Sequence, residues 1–150
     1  MLPHEHLRRN APDPASLVIP PEQLARAETL VRQLGSMNYP DRERATRELR
    51  RMGRLALPAL IAAKRDDDPE VRMRAERLFP GAESDDLRAR LDTFIADTES
   101  QYFHDLPGWE RFRLLAGQDA SARLLFADVV RQPNNKALLE ALRGIPRETA

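Results

Sequence analysis

Cysteine is absent from this 150-residue chain, and its absence removes several kinds of chemistry. Disulfides, thiolate metal sites and thiol catalysis are all excluded. The absence does not fix the compartment, because a chain of this length buries enough surface to fold without a disulfide. Any binding or catalytic role therefore rests on the other side chains.

Long hydrophobic runs and net charge are missing as well. The apolar stretches fall far short of the roughly 20 residues that a membrane-spanning helix needs. Residues 1–21 lack the apolar centre of a signal peptide, so we expect a cytoplasmic protein with no membrane partner. An anchor elsewhere in a longer parent protein stays open. The 24 basic and 24 acidic residues cancel, so no global field favours nucleic acid or anionic lipid.

Helical patterning is what the chain does contain. Apolar residues recur three and four positions apart, and short breaks rich in Gly, Pro, Asn or Asp separate the segments. No stretch alternates apolar and polar residues over the length of a strand. The pattern predicts about eight short helices and an all-α fold. A flexible Pro-rich leader is expected at 1–21, with Pro21 opening the first helix.

Start and stop signals predict several boundaries. Asp68-Pro69-Glu70 combines a cap, a proline and an acid, and predicts a helix start. Pro80-Gly81 predicts the end of that helix, with Ser84 capping the next. Asp105 is expected to cap a helix that begins near Pro107, after a loop from 97 to 108. The resulting division is a leader (1–21), a central segment (22–80) and a C-terminal helical segment (84–144) packed on the repeats.

Two segments are alike at an offset of 30 residues. RERATREL at 42–49 aligns with RMRAERLF at 72–79, and both contain a central alanine, Ala45 or Ala75. This offset fits a helix–turn–helix unit. At most one and a half units are visible, and a single repeat cannot bury its own apolar face. The C-terminal helices or another chain must therefore cover it.

Three phrases resemble the HEAT-like repeats of bacterial proteins: YPDRERATRELRRMG at 39–53, ALPAL at 56–60 and DDDPEVRMRAERL at 66–78. They stand in the family's order and spacing and cover roughly residues 22–80. In that family a small residue lies near the middle of the first helix, as Ala45 does, and a proline enters the second, as Pro58 does. The resemblance implies a short right-handed stack of helical hairpins with a C-terminal helical extension. It also implies that Asp68 and Arg72 occupy positions that form polar ladders between repeats.

The stretch 42–54 is rich in arginine, with six Arg and two Glu. We interpret it as a solvated helix face with ion pairs along its surface. The alternatives are an acidic partner protein and nucleic acid, because phosphate binding needs several cations on one surface. The candidate interaction residues are the following: Arg42, Arg47, Arg50, Arg51, Arg54, Tyr102 and Trp109.

Half of the aromatic residues lie in one short segment that contains Tyr102, Phe103, Trp109 and Phe112. If exposed, such a cluster would suit a recognition hot spot. Our interpretation is that these rings fill the joint between the two halves of the chain.

Histidine offers little for metal binding or catalysis. A zinc site needs three or four ligands with local spacing, and His104 lies about 100 residues from His4 and His6. The pair His104-Asp105 is accompanied by no nucleophile motif and no Gly-rich phosphate loop. We therefore expect no enzyme activity, no metal, no cofactor and no small-molecule substrate.

The function predicted from these observations is a non-catalytic protein-interaction or scaffolding module, because stacked hairpins present a rigid surface. The partner is expected to be another protein. One alternative is nucleic-acid binding through helix 42–54. Another is an accessory subunit of an enzyme, as HEAT-like repeats serve in some lyases acting on bound chromophores. That role requires a deep polar pocket near His104, which no sequence feature predicts.

Overall fold

The structure, a computed structural model, describes residues 11–143, and this part of the chain is all-α, as predicted. It contains no strand and seven α-helices: α1 (Pro21–Gln33), α2 (Tyr39–Met52), α3 (Leu57–Ala63), α4 (Pro69–Ala96), α5 (Trp109–Ala116), α6 (Ala120–Arg131) and α7 (Lys136–Arg143). Short 3-10 helices lie at Pro14–Leu17, Gly53–Ala56 and Pro133–Asn135. No helix in this range is both long and apolar enough to cross a membrane.

The described part of the leader is more ordered than predicted. Pro21 is the first residue of α1, which confirms that helix start. Residues 14–17 form a 3-10 helix instead of an extended segment. Asp13 holds this turn, because its carboxylate accepts the N–H of Ala15 at 2.8 Å and its carbonyl accepts the N–H of Ser16 at 2.9 Å. His4, His6 and the rest of 1–10 lie outside the described residues.

The described residues form two compact units. The N-terminal unit (17–89) contains α1, α2, α3 and most of α4. The C-terminal unit (90–143 together with 11–16) contains the end of α4 and helices α5 to α7. The division falls within α4 and not at the 80–84 break that the sequence predicts.

Helix α4 does not end at Pro80-Gly81, so the predicted break is wrong. The helix runs on to Ala96 with Pro80 inside it. A proline removes one helical hydrogen bond, here to the carbonyl of Glu76. Glu76, Pro80 and Gly81 are all exposed, so water can satisfy the freed carbonyl. Buried residues before and after the proline, such as Leu78 and Ala82, favour continuation of the helix.

The core of the N-terminal unit is rich in alanine. Helix α1 packs against α2 and α3, and small side chains let the helix backbones approach closely. The buried residues are the following: Ala27, Val31, Leu34, Ala45, Leu49, Ala56, Ala59, Leu60, Ala63, Val71, Ala75, Leu78 and Ala82. Both central alanines of the 30-residue alignment belong to this core.

The turns that precede α2 and α4 are built in the same way. In each, the fourth residue of the helix is an arginine whose Nη1 donates to two carbonyls of the turn. Arg42 donates to Ser36 at 2.7 Å and to Met37 at 3.3 Å. Arg72 donates to Asp66 at 2.6 Å and to Asp67 at 3.0 Å. In each, a side-chain oxygen accepts the N–H two residues on: Ser36 from Asn38 at 3.2 Å, and Asp66 from Asp68 at 2.9 Å. The 30-residue offset in the sequence therefore coincides with a repeated local structure.

Candidate functional site

The arginines of 42–54 do not form one free cationic surface. Arg42 and Arg54 are half-buried and bind within the N-terminal unit. The Nε of Arg42 lies 3.4 Å from Glu70, in addition to the two carbonyl bonds of its turn. Arg54 donates to the carbonyl of Leu17 and lies 3.6 Å from Asp86. These contacts assign both arginines to the fold and remove them from the predicted interaction surface.

The exposed arginines of α2 differ in their partners. Arg51 pairs with Glu48 at 3.0 Å, and Arg44 pairs with Asp41 at 2.8 Å, each one helical turn away. Arg47 lies close enough to Glu43 to help lower the pKa of that carboxyl. The side chain of Arg50 makes neither an ion pair nor a hydrogen bond with any residue in 11–143. It is therefore the least committed of the predicted surface arginines.

A charge network joins α2 to α4. Arg74 donates Nη1 to Glu43 at 2.7 Å and Nε to Glu70 at 2.6 Å, and Nη1 also reaches the hydroxyl of Thr46 at 2.9 Å. The hydrogen bond from Arg74 holds the pKa of Glu43 below its ordinary value. The hydrogen bonds to Glu43 and Glu70 in turn raise the pKa of Arg74. This network is a polar link between successive helices of the alignment.

The positions implied by the resemblance, Asp68 and Arg72, serve another purpose. The Oδ1 of Asp68 accepts the N–H of Glu70 at 2.8 Å and so caps α4. The hydrogen bonds of Arg72 likewise stay within its own turn. Arg74 therefore makes the link between helices that the resemblance places at Asp68 and Arg72.

A groove of about 280 Å³ lies between α2 and α4, and we call it the α2–α4 groove. Its lining residues are Leu49, Arg50, Gly53, Arg77, Leu78, Gly81, Ala82, Ser84 and Asp85. Leu49, Leu78 and Ala82 are buried and form its floor. Arg50 and Arg77 are exposed on its rim, and neither pairs with a carboxylate in the described part of the chain. Asp85 is the one acid of the lining and lies 3.8 Å from Arg88. The groove thus combines an apolar floor with two available cations.

Trp109 belongs to the core of the C-terminal unit. It is 3% exposed and packs edge-to-face on Phe94 at 4.7 Å between ring centroids. Phe112 and Phe126 complete the cluster at 6.2 and 5.2 Å. This burial removes Trp109 from the predicted interaction surface, whereas Tyr102 is half-buried. The ring partners of Trp109 all lie within the C-terminal unit.

Three ionisable side chains are buried near this cluster, and the first is Asp97, at the end of α4. It is 0% exposed. Its carboxylate accepts the N–H of Gln101 at 2.8 Å, the N–H of Tyr102 at 3.0 Å and Nε2 of His104 at 2.9 Å. Burial raises the pKa of Asp97, but these hydrogen bonds and the charge of Arg123 outweigh that effect and leave the pKa lowered.

His104 is held by Asp97 and not by its sequence neighbour Asp105. Asp105 is exposed and pairs with Arg143 at 3.1 Å. The predicted cap by Asp105 is also wrong, because α5 begins at Trp109 behind Gly108 and has no side-chain cap. Gly108 precedes the helix with a φ of 85°, and a Cβ there would meet Leu139 at 2.8 Å. His104 and Asp105 therefore bind different partners and do not pair with each other.

Arg123 is the third buried ionisable group and is 2% exposed. It donates Nη1 to the carbonyl of Phe94 at 2.8 Å, Nη2 to the hydroxyl of Ser100 at 2.8 Å and Nε to the carbonyl of Gln118 at 3.2 Å. Its guanidinium also lies over the rings of Phe94 and Trp109, at 4.6 and 5.3 Å from their centroids. Arg123 thereby ties the end of α4 to the loop that follows it and to the start of α6.

A cavity of about 470 Å³ opens beside these residues, and we call it the His104 cavity. Its lining residues are Ser100, Gln101, Tyr102, Phe103, His104, Trp109, Glu110, Arg113 and Arg123. The sequence does not predict this polar pocket. One sequence feature points to it: Arg123 lies three residues before Phe126 and four before Ala127, so it shares their buried helix face.

No cluster of three or more His, Asp or Glu side chains suited to a metal ion occurs within residues 11–143. The pair His4 and His6 falls outside this range.

Comparisons of the chain with protein-family models, with curated proteins and with solved structures find no match. The geometry of the described residues is thus the basis for assigning a role.

Proposed function

We propose that this chain is a non-catalytic protein-interaction module built on HEAT-like repeats, and that its α2–α4 groove binds an acidic segment of a partner protein. The observation that carries the proposal is the pair Arg50 and Arg77, which stand without ion-pair partners among the described residues above an apolar floor. Apolar contact at the centre and charge complementarity at the rim are the usual features of a protein interface.

The repeat assignment rests on the matching turns before α2 and α4. In a helical-repeat protein, successive units use the same local contacts and bury small residues between helices. The two arginine-closed turns and the buried pair Ala45 and Ala75 fit this description. A stack of this kind holds the α2–α4 groove on two packed helices, which reduces the conformational entropy lost when a partner binds.

Nucleic-acid binding through helix 42–54 is less well supported. Phosphate binding needs several cations on one surface, without acidic side chains beside them that repel the phosphate. Arg42 and Arg54 are held inside the unit, and Arg44 and Arg51 each lie beside a carboxylate whose negative charge opposes a phosphate. Too few arginines remain on this helix for a strong phosphate-binding surface.

The test begins with a selection of short random peptides displayed on phage against the full chain. We expect the selected peptides to place Asp or Glu beside Leu, Ile or Phe. The affinity of a selected peptide is then measured by fluorescence anisotropy with the wild type and with the double variant Arg50→Gln/Arg77→Gln. Loss of both rim charges should weaken binding by roughly tenfold.

The matched control is Arg44→Gln/Arg51→Gln, which removes two exposed arginines of α2 that do not line the groove. It should change the affinity less than about twofold. Equal losses in both double variants, or selected peptides without acidic residues, would contradict the groove proposal. Binding of a short DNA duplex that is tighter than peptide binding and falls with every arginine removed would favour nucleic acid instead.

A further inference from the structure

Arg123 is a buried cation without a directly bonded anion. Its three hydrogen bonds go to neutral oxygens, and it forms no ion pair with any carboxylate in residues 11–143. Buried charges in proteins are normally paired, because removal from water costs several kcal/mol per ion. The electrostatic requirement of this guanidinium is therefore only partly met by the protein itself.

Asp97 balances the positive charge of Arg123 only through space, without a hydrogen bond to it. Its two oxygens are taken up by the N–H groups of Gln101 and Tyr102 and by the ring of His104. Burial lowers the pKa of Arg123, the charge of Asp97 raises it, and the charge of Arg113 lowers it further. The net lowering indicates that the surroundings of Arg123 disfavour its positive charge.

Arg113 brings a second guanidinium to the His104 cavity. It lines the cavity with Arg123, and its Nη2 lies 2.9 Å from Glu110. Both Arg113 and Glu110 are half-exposed, so this pair can open without a large loss of energy. The cavity wall therefore carries one fixed cation and one movable cation that repel each other, and an anion between them would be attracted to both.

Ser100 holds an unusual backbone conformation in the same wall. Its φ of 52° makes it the one residue other than glycine with a positive φ in the described part of the chain. Its hydroxyl accepts from Arg123 and its N–H donates to the carbonyl of Asp97 at 3.1 Å. Such conformations are uncommon for residues with a side chain and tend to occur at binding sites. Ser100 thus fixes the guanidinium of Arg123 at the wall.

We propose that the His104 cavity binds a small aromatic carboxylate, with the carboxylate between Arg113 and Arg123 and the ring against the aromatic wall. A planar carboxylate matches the fork of a guanidinium, and Glu110 at the same wall repels a doubly charged phosphate more strongly than a singly charged carboxylate. Tyr102 and Phe103 supply most of the apolar surface for a ring, and the edge of the nearly buried Trp109 lies behind them. The volume of about 470 Å³ lies within the range of small-molecule sites. This site goes beyond the proposed protein-interaction role and is independent of the α2–α4 groove.

Trp109 provides a direct readout, because it lines the cavity and is the only tryptophan in the chain. The full chain is titrated with benzoate while the fluorescence of Trp109 is recorded. Benzamide, which has the same shape without the charge, and inorganic phosphate serve as comparison probes. We expect a saturable change with benzoate, and little or none with benzamide or phosphate. Absence of saturation with benzoate at millimolar concentrations, or equal responses to benzoate and benzamide, would overturn the proposal.

Arg113→Gln tests the site without removing a buried charge. Loss of one charge-assisted hydrogen bond should weaken benzoate binding by about tenfold or more. Arg131→Gln is the matched control, because Arg131 is also half-exposed and pairs one turn away, with Asp128 at 3.1 Å, but does not line the cavity. Equal affinities in the wild type and Arg113→Gln would refute the assignment.

A second measurement does not depend on any variant. Amide chemical shifts of Ser100, Gln101 and Tyr102 should move when benzoate is added, while those of Arg50 and Arg77 in the α2–α4 groove should not. Shifts confined to other regions would place benzoate elsewhere and contradict the site. Peptide binding at the groove should be unaffected by Arg113→Gln, so the two proposals can fail separately.

Discussion

At the scale of single residues, Gly35 in the N-terminal unit has little space for a side chain. A Cβ at this position would lie 2.6 Å from Oδ2 of Asp68 and 3.1 Å from Cγ2 of Val71. Asp68 cannot move aside freely, because its other oxygen caps α4 through the N–H of Glu70. Gly35→Ala should therefore lower the free energy of unfolding by about 1–3 kcal/mol. Urea denaturation followed by circular dichroism measures this change.

Gly81 is the matched control for this substitution. It lies inside α4 with no atom within 4 Å of a Cβ built there. Gly81→Ala should raise the free energy of unfolding by about 0.5–1 kcal/mol, because alanine loses less backbone entropy in a helix. A stabilising Gly35→Ala would contradict the steric argument. A destabilising Gly81→Ala would contradict the continuous helix at this point.

Individual residues also show where sequence reasoning reached its limit. Leu125 is apolar and 54% exposed, whereas the charged Arg123 is buried on the same helix face as Phe126. Hydrophobic patterning assigns buried positions to apolar residues, so it does not place the charged Arg123 in the core. Asp97 and His104 meet through a loop that has no periodicity. Their contact could not be deduced from sequence spacing.

At the scale of secondary-structure elements, local signals predicted the ends of several helices. Pro69 begins α4 behind the Asp68 cap, and Gly53 ends α2 with a φ of 55°, because short-range chemistry fixes these positions. The continuation of α4 past Pro80 was not predicted, since it depends on burial of residues far apart in the sequence. Whether the matching turns extend into a HEAT-like stack stays a prediction.

The two matching turns make a prediction about their arginines. Arg42→Met and Arg72→Met each remove two hydrogen bonds from a guanidinium to turn carbonyls. Each substitution should lower the free energy of unfolding by about 1–3 kcal/mol, because the carbonyls of the turn lose charged donors. The loss should be slightly larger for Arg42, which also contacts Glu70 and the ring of Tyr39. Thermal or urea unfolding of the full chain gives both values.

Arg44→Met provides the comparison for these variants. Arg44 is exposed and makes only a pair with Asp41, so its loss should change stability by less than about 0.5 kcal/mol. Similar values for Arg44→Met and Arg72→Met would show that the turn contacts contribute little. A large effect at Arg42 with none at Arg72 would argue against equivalent turns.

At the scale of the whole molecule, each compact unit contains a carboxyl group whose pKa is lowered by folding. These groups are Glu43 in the N-terminal unit, held by Arg74, and Asp97 in the C-terminal unit. A carboxyl with a lowered folded-state pKa stabilises the protein above its unfolded-state pKa, which is about 4. That contribution is lost as the pH falls from there through the folded-state value. Both units should therefore lose stability below about pH 4.

Asp97→Asn tests this linkage in the C-terminal unit. The variant should be less stable than the wild type at pH 7, because it cannot accept all three hydrogen bonds as a carboxylate does. The difference in the free energy of unfolding should shrink as the pH falls below about 4, since Asp97 in the wild type then becomes neutral as well. Urea unfolding at a series of pH values measures the two curves. Asp128→Asn, at an exposed carboxyl, should follow the wild type throughout. Curves for Asp97→Asn and the wild type that stay parallel down to pH values well below 4 would mean that the charge of Asp97 does not stabilise the C-terminal unit.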